Sequence, residues 1–133
     1  MDEKIKDDLI KYRIEQAENS IKTVKLLIDN LEYSSAVNRI YYGMFYILLA
    51  VALKNGFETS KHNILIGWFN QNFIKTDFFP KRYGKIIHQI FKKRLEGDYD
   101  AFIKFEKNEI DLMFEDMKDF IKVLSEYLTN KNK

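Results

Sequence analysis

The stretch Ile40-Tyr41-Tyr42-Gly43-Met44-Phe45-Tyr46-Ile47-Leu48-Leu49-Ala50-Val51-Ala52-Leu53 runs for fourteen residues without a charge, between Arg39 and Lys54. At helical pitch it is apolar almost all round, which predicts a helix covered on every side. Spanning a bilayer takes about 20 residues, so the run reads as the core helix of a bundle and not as a membrane anchor. Ser34 or Ser35 can cap its start, and Asn55-Gly56 suits a left-handed stop, so the predicted helix covers residues 35–55.

Working outward, the helix before it is predicted over residues 5–31. Ile10, Ile14, Ala17, Ile21, Val24, Ile28 and Leu31 recur at steps of four and three and form one stripe. Asp29-Asn30 disfavours further helix. After the core helix, Ser60 is a candidate cap for a third helix carrying Ile64, Leu65, Trp68, Phe69 and Phe73. Residues 76–80 read as a loop, with Pro80 placed to open a fourth helix over residues 81–95. Gly97 is expected to interrupt that helix. A last helix begins near Lys107, with Ile110, Phe114, Met117, Ile121, Leu124 and Leu128 in the same four-three spacing. The first and last helices, with matching stripes, are expected to pack side by side.

The whole therefore reads as an all-α, up-and-down bundle of about five helices around a buried second helix, in one domain spanning residues 1–133. One Pro and 5 Gly leave little turn punctuation for a β-rich fold. With no Cys and 2 His, thiolate metal sites and disulfides are excluded, no Glu-x-x-His pair occurs, and no metal or cofactor is expected. No Gly-rich phosphate loop is present. Met1-Asp2-Glu3-Lys4 does not resemble a secretory leader, and a cytoplasmic location is the default expectation.

The formal net charge of +2 conceals two opposed blocks. Residues 75–94 hold seven Lys or Arg against Asp77 alone, a net of +6, and residues 95–119 hold nine acids against three Lys, a net of −6. Either the two faces neutralise each other, or the basic one meets nucleic acid or nucleotide phosphate.

Asn38, Arg39 and Tyr42 stand at the entry of the core helix, where 38 and 42 share a face, as do 39 and 42. Arg39 either pairs with an acidic turn such as Asp98 or Asp100 or holds a phosphate, with Tyr41 and Tyr42 offering stacking or hydroxyl contacts. Lys61 and His62 stand at the start of the third helix, where backbone N–H groups favour anions. Arg82 and His88, six positions apart, fall on opposite sides of the fourth helix and cannot share a site.

Ala36-Val37-Asn38-Arg39-Ile40-Tyr41-Tyr42-Gly43-Met44-Phe45, followed by Gly56, Lys61-His62 and Arg94-Leu95-Glu96-Gly97-Asp98-Tyr99, resembles the HEPN-domain family. More narrowly it resembles the small stand-alone branch, with Gly43 and Gly97 where Ala is usual. The resemblance spans residues 8–128. It implies a helical bundle that forms a homodimer, with nucleotide or RNA bound in the cleft between copies. It also implies a minimal nucleotidyltransferase as partner, the two acting as toxin and antitoxin.

Catalytic members of the family are metal-independent ribonucleases with an Arg followed four to six residues later by His. The counterpart here is Arg94, Asp98 and Tyr99, with Asp98 in the His place. A carboxylate ionised at neutral pH cannot donate the proton that an imidazolium would. The leading expectation is therefore binding: Arg39 and Arg94 on phosphate, with Asn38, Tyr42, Lys61, His62, Asp98 and Tyr99 around them. Two alternatives stand beside it. One is a ribonuclease that uses Arg94 with His62 or His88, and the other is a structural domain whose arginines only pair with acids.

Overall fold

A computed structural model of the chain describes residues 2–99 and 103–130, with the side chain of Tyr99 outside that description. Its helices are α1 (Glu3–Asp29), α2 (Tyr33–Lys54), α3 (His62–Phe69), α4 (Lys81–Tyr99) and α5 (Lys107–Thr129). No strand occurs among the described residues. α3 continues into a wider π-helical turn, Asn70–Ile74.

The core helix is where the apolar run puts it. α2 is by length and composition apolar enough to cross a membrane, yet most of it is covered by the other helices. Ile40, Met44, Ile47, Leu48 and Val51 have no exposed surface. Each such side chain contributes about 1.5–3 kcal/mol through burial. α2 packs most extensively on α1, then on α5 and α4. The first and last helices do touch, along a strip holding Ile14, Ile21 and Ile121, but their main partner is α2 rather than each other.

Several helix ends differ from the sequence expectation. α1 stops at Asp29, where the Asn30 side chain donates to the Leu26 carbonyl at 2.7 Å. Leu31 then takes φ 61° and turns out to solvent, leaving the core stripe it was expected to extend. α2 starts at Tyr33, so Ser34 and Ser35 fall inside its first turn and neither caps it. α3 starts at His62 rather than near Ser60, with Thr59 Oγ1 accepting from the Lys61 N–H at 3.1 Å. Gly56 has φ 75° and closes α2 as expected.

Gly97 does not break α4, which runs on to Tyr99. Its bare Cα has a packing reason: a Cβ there would lie 3.2 Å from the ring of buried Phe105. A glycine inside a helix costs about 1 kcal/mol against alanine, and close approach of the Phe105 ring offsets it. Among the described residues the opposed charge blocks meet between α4 and α5 at Lys93 with Glu109, 2.9 Å, and at Arg82 with Asp119, 3.1 Å, and within α4 at Lys93 with Glu96 and Arg94 with Asp98. Arg82 and His88 are both exposed, and Arg82 is engaged with Tyr83 and Asp119.

Candidate functional site

Arg94 organises the site. It sits on the inward side of α4, with its side chain only 19% exposed. Its guanidinium lies 5.0 Å from the ring centre of Tyr41 and 5.3 Å from that of Tyr42, both on α2. Cation–π attraction of this kind is worth about 0.5–2 kcal/mol, the more so where water is excluded. Nη2 donates to the Tyr42 hydroxyl at 3.4 Å. Nε lies 3.1 Å from Asp98 Oδ2, one helical turn on, but this buried N–H makes no directed hydrogen bond. The contact with Asp98 is one of charge proximity.

A second layer stands against the aromatic face. His62, from the start of α3, stacks on Phe45 with ring centres 4.0 Å apart and on Tyr41 at 5.5 Å. Its Nδ1 is 2.7 Å from the Tyr41 hydroxyl. Tyr41 has no exposed surface, and burial raises its pKa far above the usual phenol value. The hydroxyl therefore keeps its proton and donates to Nδ1, which leaves the neutral imidazole proton on Nε2. Desolvation, and after it the charge of Arg94, lowers the His62 pKa below the ordinary imidazole value.

On its other side Arg94 forms the wall of an open pocket of about 430 Å³, together with Asn38, Arg39, Gly97, Asp98 and Phe105. Ser34, Ser35 and Thr23 add hydroxyls to the lining. Arg39 is exposed and makes no ion pair among the described residues. The pairing of Arg39 with Asp98, one of the two readings of this arginine, does not occur among the described residues, where Asp98 lies beside Arg94, one turn earlier on the same helix. Asp100, the other acid considered for Arg39, lies outside the described residues.

The structure thus gathers Asn38, Arg39, Arg94 and Asp98 in one pocket, and Tyr42 and His62 on the adjoining aromatic layer. Lys61 is exposed and lines neither, and the Tyr99 side chain lies outside the described residues. Among the described residues no group of His and carboxylates could hold a metal ion. The pocket hydroxyls were legible only as a cap: Ser34-Ser35 reads equally well as a helix start, and a polar lining leaves no period of its own.

The chain matches the HEPN domain over residues 10–127. It is 36% identical over 123 residues to a UPF0332 protein of Thermotoga maritima, covering 92% of this chain and 88% of that one. It is 33% identical over 119 residues to a protein of Methanocaldococcus jannaschii named "Putative toxin", with 90% and 81% covered. A second protein of the same organism and name is 29% identical over 106 residues, covering 80% and 79%.

Proposed function

The chain belongs to the HEPN-domain family, and from that premise we propose a toxin-like HEPN protein that binds nucleotide or RNA phosphate through Arg39 and Arg94. One observation carries this reading: two guanidinium groups line a single open pocket, and Arg39 has no acid to neutralise it among the described residues. Guanidinium is the side chain best matched to a phosphate oxygen pair. Asn38 and the hydroxyls of Ser34 and Ser35 supply neutral donors beside it. The toxin-like character follows the names of the two Methanocaldococcus relatives. In this reading the protein is a homodimer that works with a nucleotidyltransferase partner, as the family resemblance implies.

Titrating a labelled single-stranded RNA and a nucleoside triphosphate, followed by fluorescence anisotropy, tests it. Loss of one charge-assisted contact should weaken binding by about tenfold or more in Arg39→Ala, with no change in melting temperature because Arg39 is exposed. Unchanged affinity in Arg39→Ala and Arg94→Ala alike would leave the structural alternative standing.

A second reading, metal-independent RNA cleavage, is favoured by the seating of His62 on the same two tyrosines that hold Arg94. His62 Nε2 makes no hydrogen bond among the described residues, while Nδ1 is fixed by Tyr41. Cleavage in the presence of chelator, lost in Arg94→Ala and His62→Ala, would support it. No cleavage by pure protein at high concentration would sink it.

A further inference from the structure

α1 has 27 residues, of which twelve are charged. The charges avoid two stripes. One is the core stripe, from Ile14 through Ala17 to Ile28. The other begins with Ile5, Leu9 and Tyr12, continues through Gln16, Asn19 and Thr23, and ends at Leu26. Its steps again alternate four and three, so it is a single seam along the outer side of the helix. Ile5, Tyr12 and Leu26 are 60%, 53% and 63% exposed. An outward heptad seam free of charge, on a helix so densely charged elsewhere, is the pattern of a helix with a second partner.

We propose that this seam pairs antiparallel with the same seam of a second copy, about a two-fold axis near the middle of the helix. The register sets Leu9 against Leu26 of the second copy, Tyr12 against Thr23, and the two uncharged amides Gln16 and Asn19 against each other. Each contact then occurs twice, as two-fold symmetry requires. Antiparallel helix dipoles also cancel.

The flanking charges select the direction. In the antiparallel register Glu15 lies beside Lys22 of the second copy, and neither has an ion pair of its own among the described residues. Asp8 and Asp29, which also approach, are each neutralised within their own helix, by Lys4 at 3.6 Å and Lys25 at 3.3 Å. A parallel pairing would leave Glu15 and Lys22 without opposite charges. It would bring together Asp8 and Arg13, which are already engaged with Lys4 and Gln16.

Thr23 belongs both to the seam and to the pocket lined by Arg39 and Arg94. The second copy therefore stands at the pocket rim, and the pocket becomes one edge of a cleft between copies. This inference rests on the homodimer of the proposed function and adds its surface and register.

The chain has no cysteine, so engineered pairs report cleanly. In the double variant Leu9→Cys/Leu26→Cys, mild oxidation should give a covalent dimer on a non-reducing gel. The single variants should not cross-link, since like positions lie about 25 Å apart along the antiparallel pair. Light scattering should show a dimer for the wild type, and a dissociation constant raised by about tenfold or more in Leu26→Lys and Tyr12→Lys, with the helical circular-dichroism signal of the folded chain unchanged. Cross-linking by either single variant would overturn the antiparallel register. A dimer that survives both lysine variants and does not cross-link would overturn the seam while keeping the homodimer. A wild type monomeric at all concentrations would overturn both, leaving phosphate binding to be judged by its own titration.

Discussion

The Tyr41 hydroxyl and His62 Nδ1 lie 2.7 Å apart, joining the middle of the core helix to the first residue of α3. The bond sets the imidazole tautomer and holds His62 over the layer on which Arg94 rests. It connects the fold to the site: a side chain with no exposed surface orients one that reaches the surface.

His62 should titrate below the ordinary imidazole value, for desolvation and the Arg94 charge both penalise its protonation. A depressed folded pKa contributes stability that is present above the unfolded value, near 6.5, and is lost as pH falls through the folded one. The melting temperature should therefore decline from pH 7.5 to pH 5, and less steeply in His62→Gln. Following the imidazole protons by NMR gives the pKa directly. Arg94→Ala should move it back toward the ordinary value, and a shift further down would contradict the assigned cause.

Tyr83 is 2% exposed, and its hydroxyl donates to Asp119 Oδ1 at 3.0 Å, with Arg82 Nη2 also donating to Asp119 at 3.1 Å. Asp119→Ala removes the acceptor of a half-hidden hydroxyl and should cost about 1–3 kcal/mol. Asp119→Asn keeps an acceptor oxygen and should recover part of that. Equal stability of all three proteins in urea would show that the α4–α5 staple contributes nothing.

Gly43 lies at a close crossing of α1 and α2. A Cβ placed there would lie 2.9 Å from Ser20 Cβ and 2.5 Å from the flexible end of Met117. Alanine's better helix propensity, about 1 kcal/mol, therefore competes with a clash against the neighbouring helix. Met117 can move aside, but Ser20 Cβ is fixed by its backbone. Gly43→Ala should destabilise by about 1–2 kcal/mol, and Ser20→Gly in the same chain should relieve most of it. Additive effects of the two changes would contradict the close crossing.

The parts of this molecule that were legible in advance are those set by short-range pattern. The charge-free run ending at Leu53 announces the core helix, and Gly56 its end. Arg94 and Asp98 are one turn apart, so their pairing follows from helix geometry once the helix is known to continue. Gly97 concealed that continuation, because its reason lies in the ring of Phe105, eight residues on in the sequence. The Tyr41–His62 bond joins positions 21 residues apart and leaves no periodic trace. Arg39 read either as an ion-pair partner or as a phosphate contact, and the sequence carries no mark of the fact that Asp98 lies beside Arg94.

The central claim is that a phosphate-bearing ligand sits between Arg39 and Arg94. Amide chemical-shift mapping on addition of a nucleoside triphosphate, in wild type and in Arg39→Ala, tests it most directly. The pocket predicts the largest shifts at Ser35, Asn38, Arg39, Arg94 and Gly97, with the midpoint of the titration moved about tenfold or more higher in the variant. Shifts centred on the exposed lysines of α4, or the same midpoint in both proteins, would contradict it.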